Sequence, residues 1–208
     1  MIFENNKKNI KLFIQKILNN EIIIFPTDTV FGIGCNATNT TTIEKIYKLK
    51  GRKKTKTLLL NFPNIKSIEN FANLTKTEKL LLKTFGDLTI IVKAKENTKL
   101  SPLTIKNNEI GIRIPNNKTL QQILTKISTP LISTSCNKSG NSPCLTADNA
   151  EKIFPQIPIL QTNEVLSGTP STIIKISNNK IEILRHGSLS KETLQQILTK
   201  HKLNIDII

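Results

Sequence analysis

Residues 21–39 read "EIIIFPTDTVFGIGCNATN": an apolar run, a turn at Pro26, then Thr27, Asp28 and Thr29 followed by Gly32 and Gly34. A short apolar run stopped by a turn signal reads as a buried strand. Hydroxyls and glycines at its tip put donors, acceptors and closely approachable backbone where the strand ends. Upstream, Ile10, Phe13, Ile14, Ile17 and Leu18 recur at helical spacing within "MIFENNKKNIKLFIQKILNN". Lysines scattered through that segment, with no small-residue cleavage site, make it an amphipathic helix and not a signal peptide. A helix therefore feeds a buried strand that ends in polar groups.

The alternation continues outward. Thr41 and Glu44 have capping-box spacing, predicting a helix from there to Lys50, with Ile43, Ile46 and Tyr47 as its buried stripe and Gly51 as its stop. "TLLLNF" predicts a strand, residues 65–71 a short helix, and Thr75 with Glu78 a second capped helix. "DLTIIVKA" and "IGIRI" predict two more strands, the second stopped by Pro115. Helices at 119–126, 147–154 and after Ser190 are interleaved with strands at "PLISTS", "IPILQ", "STIIKI" and "KIEIL". The octapeptide "TLQQILTK" occurs at 119–126 and again at 193–200, but the flanking sequences differ, so it is shared helix grammar and not a repeat. Interleaved elements without long linkers predict one α/β domain over residues 1–208, and strands that follow one another directly predict a mixed sheet.

Composition narrows the function classes. At 208 residues the chain can bury a core without disulfide or metal staples. Three cysteines, Cys35, Cys136 and Cys144, lack CxxC pairing and have only His186 and His201 beside them, which argues against a disulfide framework or a zinc site. No apolar run approaches membrane-spanning length, and a cytoplasmic location is expected. The formal net charge of +15 attracts polyanions of any kind. Abundant Lys, Asn and Ile with few glycines also fit AT-rich coding, so part of that charge is compositional.

Three loops carry chemistry: Thr27 to Thr29, "STSCN" at 133–137, and "TPST" at 169–172. Singly, each is what Ser, Thr and Asn do at turns and caps. Together, at strand ends, they can line one pocket. "KLKGRKKTK" gathers Lys48, Lys50, Arg52, Lys53, Lys54 and Lys56 at a helix end. There the dipole favours cations, and Gly51 allows Lys50 and Arg52 to turn toward a common anion. Arg clamps phosphate oxygens in pairs and Lys adds a mobile point charge, so a polyphosphate suits them. "GIGCNA" matches neither GxGxxG nor a Walker A loop, and "STS" has no nucleophile-elbow setting.

In this order, "FPTDTVFGIGCNATN", "IYKLKGR", "IGIRIP", "PLISTSCNKSG", "PSTIIKI" and "ILRHG" resemble the YrdC-type threonylcarbamoyl-AMP synthase family over residues 25–187. The resemblance implies a twisted mixed α/β sheet with flanking helices around a deep basic cavity. It implies synthesis of threonylcarbamoyl-AMP from L-threonine, bicarbonate and ATP, with pyrophosphate released and magnesium carried on the ATP phosphates. A separate transferase complex would then use the product to modify adenosine beside the anticodon of ANN-reading tRNAs, with tRNA itself at most a weak ligand. Carried over by motif, Lys50 and Arg52 are the catalytic pair. Lys50, Arg52, Lys56, Ser135, Asn137, Pro143 and Arg185 would hold ATP, and Thr27, Asn61, Arg113, Ser133 and Ser171 the threonine. Thr57 and Asn61 stand where the family commonly has Pro and His, and the extra C-terminal domain of longer members is not expected. The competing reading is a non-catalytic RNA-binding module of the same domain type, which an aromatic content of 4% disfavours.

Overall fold

The computed structural model describes residues 1–56 and 58–208. Thr57, one of the two departures noted above, lies outside them. The elements in chain order are β1 (Ile2–Phe3), α1 (Lys7–Leu18), β2 (Ile23–Phe25), β3 (Gly32–Gly34), α2 (Thr40–Lys50), β4 (Leu59–Asn61), α3 (Ile65–Ile68) and α4 (Lys76–Thr84). They continue with β5 (Leu88–Lys93), a 3-10 turn (Pro102–Thr104), β6 (Glu109–Arg113), α5 (Lys118–Leu124), β7 (Leu131–Ser135), α6 (Ala147–Ile153) and β8 (Ile159–Leu160). The last are β9 (Thr172–Ser177), β10 (Lys180–Arg185), α7 (Lys191–Lys200) and β11 (Asp206–Ile207).

Among the described residues the strands form one mixed sheet in the order β1-β8-β2-β3-β7-β4-β6-β5-β9-β10-β11. Strand β2 explains the two-sided burial. Ile23 and Phe25 face a cluster with Ile10, Phe13 and Ile17 of α1 and Leu120, Ile123 and Leu124 of α5. Ile24, one residue out of phase, faces the larger cluster that includes Ile43 and Ile46 of α2. An alternating strand buried on both faces needs apolar residues at every position, which is what "IIIF" supplies.

Four readings are corrected. The chain does not begin as one helix: Ile2 and Phe3 pair in parallel with Ile159 and Leu160, and α1 starts after its cap Asn6. Leu18 is exposed and outside the apolar stripe. Helix α2 is capped by Asn39, whose side chain accepts from Thr42 N at 2.9 Å, so it begins earlier than a Thr41 cap would allow. Glu44 pairs instead with Lys54 at 2.6 Å. The short strands β3 and β11 were not foreseen.

Strand β3 is antiparallel to both β2 and β7, with Gly32 opposite Phe25 and Ser135. Glycine has poor strand propensity, yet here it is required. A Cβ on Gly34 would lie 1.9 Å from the Ile132 carbonyl oxygen. The backbone pairing of β3 with β7, which brings the two hydroxyl-rich strand ends together, depends on that missing atom.

Left-handed backbone is taken mostly by asparagine: Asn20, Asn97, Asn107, Asn108, Asn178 and Asn179 all have positive φ. Asn tolerates this region because its short amide bonds locally to the backbone. Gly34→Ala should destabilise the fold by about 3 kcal/mol or more through forced separation of β3 from β7. Denaturant unfolding tests this, and a loss under about 0.5 kcal/mol would show that the sheet opens there without strain.

Candidate active site

The β2–β3 turn is held by its own hydroxyls. Thr27 Oγ1 accepts from the Thr29 and Val30 amides at 3.1 and 3.2 Å and donates to Val30 O at 2.7 Å. Its proton is thereby used, so Thr29 Oγ1, 2.9 Å away, is the donor between the two hydroxyls. Thr29 Oγ1 in turn accepts from Arg113 Nη1 at 3.2 Å. A directed chain thus runs from a guanidinium at the end of β6 to the tip of β2.

Arg113 is 5% exposed. Its Nε donates to Gly86 O at 2.6 Å, and Nη2 is ion-paired with Asp28 Oδ1. Asp28 is itself fixed by Asn116 N, which donates to Oδ2 at 3.2 Å. Burial lowers the Arg113 pKa, opposed by Asp28. A guanidinium remains charged under such a shift. Three of its five N–H groups are engaged by these contacts, leaving one on each terminal nitrogen. Asp28 is thus the counter-ion that aims Arg113.

Two cavities share Arg52, Lys56 and Ser135. The larger, about 530 Å³, is lined by Thr27, Arg113, Ser133, Ser171 and Arg185 among others. The smaller, about 350 Å³, is lined by Lys50, Asn137, Ser139 and Gly140 besides the shared residues. Arg185 donates to Ser171 O at 2.6 and 3.1 Å and to Ser171 Oγ at 3.0 Å. Its pKa is lowered by burial and by repulsion from Arg113 and Arg52. Arg52, lowered chiefly by burial, donates from Nε to Lys56 O at 3.1 Å. Cations crowded around one space create a positive potential of the kind that suits a multiply charged anion.

Lys50 stands apart from the other cations. It is 2% exposed, and its ammonium donates to Ser135 O at 2.5 Å, Asn137 O at 2.6 Å and Asn137 Oδ1 at 3.0 Å. Asn137 Oδ1 also accepts from Ser135 Oγ at 2.7 Å, and its amide reaches Asn141 O at 2.5 Å. The loop returns the contact, since Ser139 N donates to Lys50 O at 2.9 Å and Lys138 to Leu49 O at 2.6 Å. These bonds satisfy carbonyls at the end of α2 that the helix leaves free. Gly51, at φ 61°, caps the helix and separates the paths of Lys50 and Arg52.

Two predicted site residues do not line either cavity. Asn61 is 0% exposed and sits behind Ser133, donating to Ser133 Oγ at 2.7 Å and to Leu131 O at 3.1 Å, with Oδ1 unpaired. Pro143 lies on the return of the 137–144 loop, beside Cys144, whose amide bonds to Cys136 O at 2.9 Å. The remaining predicted residues are brought together. Sequence reading did not include Lys106, which lines the larger cavity from the β5–β6 connection. In so lysine-rich a chain, nothing in the sequence marks it. Cys35, Cys136 and Cys144 are buried and unbridged, with Cys35 pushed up to about 12 by burial.

Residues 15–187 match the Sua5/YciO/YrdC family model, described as "Telomere recombination". A relative from Methanocaldococcus jannaschii is 32% identical over 195 residues, covering 92% of this chain and 91% of the relative. A Histophilus somni protein named threonylcarbamoyl-AMP synthase is 31% identical, with 83% of this chain and 97% of that protein covered. The Bacillus subtilis protein of the same name is 29% identical, and the match spans 53% of its length. The fold superposes on P. abyssi Sua5 complexed with L-threonine at a TM-score of 0.90 and 23% identity, covering 100% of this chain and 62% of that one. It superposes on E. coli YciO at 0.82 and 17% identity, covering 93% and 98%.

Burial depresses the Lys50 pKa from 10.5 to about 8, offset in part by Cys136 and helped by Arg52. In that window the unfolded chain holds more protons than the fold, so stability rises with pH through it. The stability of the protein relative to Lys50→Met should therefore grow by up to about 3 kcal/mol between pH 8 and 10.5. Denaturant melts of both proteins across that range measure the difference, and a flat profile would show an ammonium that is not desolvated.

Proposed function

The chain belongs to the Sua5/YciO/YrdC family, and from that premise we propose that it joins L-threonine, bicarbonate and ATP into L-threonylcarbamoyl-AMP, releasing pyrophosphate. The observation that carries this reading is the pairing of two subsites in one basic space. A buried guanidinium among hydroxyls lies at one side, and a Lys-, Ser- and Asn-lined extension at the other, with Arg52 and Lys56 shared between them.

In the threonine subsite, the two N–H groups left on Arg113 take the carboxylate, while Thr27, Ser133 and Ser171 surround the small hydroxylated side chain. Asn61 acts from behind by orienting Ser133. In the nucleotide subsite, Ser135, Asn137 and the loop toward Pro143 border the nucleoside, and Arg52, Lys56 and Arg185 face the phosphates. Lys50 is a positioning residue in this scheme, because all three of its protons are committed to the loop.

The reaction requires no covalent intermediate with the enzyme. Threonine's amine adds to bicarbonate with loss of water, giving a carbamate. A carbamate oxygen then attacks the α-phosphorus as the bond to the β-phosphate oxygen breaks and pyrophosphate leaves. Holding the carbamate and ATP in line contributes up to about 7 to 11 kcal/mol, and fixed cations stabilise charge building on the leaving group. Among the described residues no group of three His, Cys, Asp or Glu side chains could hold a metal, and Asp28 is engaged by Arg113. In this scheme magnesium enters with the substrate, carried on the ATP phosphates. The adenylate is a reactive mixed anhydride, which fits use by a separate tRNA-modifying transferase complex.

Arg52→Ala should lower threonine-dependent pyrophosphate release by roughly 10²- to 10³-fold while leaving the far-ultraviolet circular dichroism unchanged. The assay supplies ATP, bicarbonate and each amino acid in turn and identifies the adenylate by mass. Undiminished turnover in the folded variant would remove Arg52 from the phosphates. If the wild-type chain released no pyrophosphate but bound RNA with steep salt dependence, the RNA-binding module would be the better reading.

A further inference from the structure

We infer that Lys106 is a further phosphate-binding residue, one that meets the terminal phosphates of a nucleoside triphosphate at the mouth of the larger cavity. The inference deepens the synthase reading and rests on it for the identity of the triphosphate. It rests on the geometry alone for the anion site.

The lysine is held on rigid backbone. Lys106 N donates to Glu109 O at 3.0 Å and Glu109 N returns to Lys106 O at 2.8 Å, closing a tight turn through Asn107 and Asn108 at φ 52° and 60°. Ala94 N ties that turn to the end of β5 by donating to Asn108 O at 2.8 Å. Two successive left-handed residues fix the direction in which such a turn sends its flanking side chains. Here Lys106 lines the same cavity as Arg52, Thr55 and Lys56.

Its ammonium is barely used. Among the described residues it makes one hydrogen bond, to Thr55 O at 3.4 Å, at the outer limit for such a contact. The nearest acid on its own turn, Glu109, is occupied by Lys175 at 2.6 Å. Lys50 is saturated by the loop, Arg113 is neutralised by Asp28, and Arg185 is held on Ser171. A triphosphate entering this space therefore finds in Lys106 a point charge with donors to spare.

The wall that carries Lys56 is linked to the segment that carries Lys106. Tyr47, on α2, donates its hydroxyl to Lys56 O at 3.0 Å and lies 3.5 Å from Leu103 O in the 3-10 turn just before Lys106. The two lysines thus face one space from loops whose spacing is set by a shared, buried tyrosine.

The test uses the full chain and three probes measured by calorimetry: ATP, inorganic tripolyphosphate and AMP. Lys106→Ala should weaken ATP and tripolyphosphate about 10-fold, the loss of one charge-assisted hydrogen bond. AMP affinity and the threonine KM should stay unchanged, and Lys106→Arg should recover most of the loss. Equal affinity of Lys106→Ala and wild type for tripolyphosphate would overturn the proposal, as would a parallel loss of AMP. If the wild-type chain makes no threonylcarbamoyl-AMP yet tripolyphosphate binding still depends on Lys106, the anion site stands and only the synthase reading falls.

Discussion

A buried ammonium with three oxygen acceptors is the constraint on which this site depends. Lys50 cannot be taken out of water unless all its protons are met, and the oxygens that meet them belong to Ser135 and Asn137, some 85 residues away in sequence. The end of α2 and the loop after β7 are therefore fixed to one another, and the smaller cavity exists because they are. The return bonds from Lys138 and Ser139 to helix-end carbonyls make the joint reciprocal.

A second joint works by a different physics. At the β2–β3 turn, hydroxyl hydrogens are oriented in series from Arg113 through Thr29 to Thr27. Each hydroxyl has one proton to give, and Thr27 spends its proton on the Val30 carbonyl, so Thr29 must donate to Thr27 and the chain runs away from the guanidinium. Asp28 closes the arrangement from the other side. Gly86 is where bulk is excluded to permit it, since a Cβ there would lie 2.5 Å from Asp28 Oδ2 and from Asn116 Cβ.

Much of this was legible in the sequence, because strong local signals coincide with tertiary demands. The capping box at Thr75 and Glu78, the stop at Gly51 and the strands "DLTIIVKA" and "IGIRI" are all present. At the start of α2 local grammar misled: Thr41 has capping-box spacing, but Asn39 takes the cap because its side-chain oxygen accepts from Thr42 N while Glu44 is drawn to Lys54. The octapeptide "TLQQILTK" shows the limit of local reading. In α5 it buries Leu120, Ile123 and Leu124, whereas in α7 it buries Leu194 and Leu198, so neighbours and not sequence decide the width of its apolar face. Most residues named through the family motifs line the two cavities, Asn61 and Pro143 excepted, but which of them are tied to the protein's own backbone was not legible. Nothing in "KLKGR" says that the first of its last two cations is turned inward and the second toward the cavity. That depends on where the 133–139 loop arrives.

Arg185 is repelled by the guanidiniums of Arg113 and Arg52, and of these Arg113 is compensated in part by Asp28 and Asp87. Like charges gathered in this way cost the native state some stability, and a polyanion offsets that cost only when the protein is folded. By mass action, a ligand at 100 times its dissociation constant adds about 2.7 kcal/mol to the unfolding free energy. Under the proposed function, the amount of folded protein is thereby tied to the pool of the polyanion that the cavity takes. A fall in that pool would thin the population of molecules as well as slow each one.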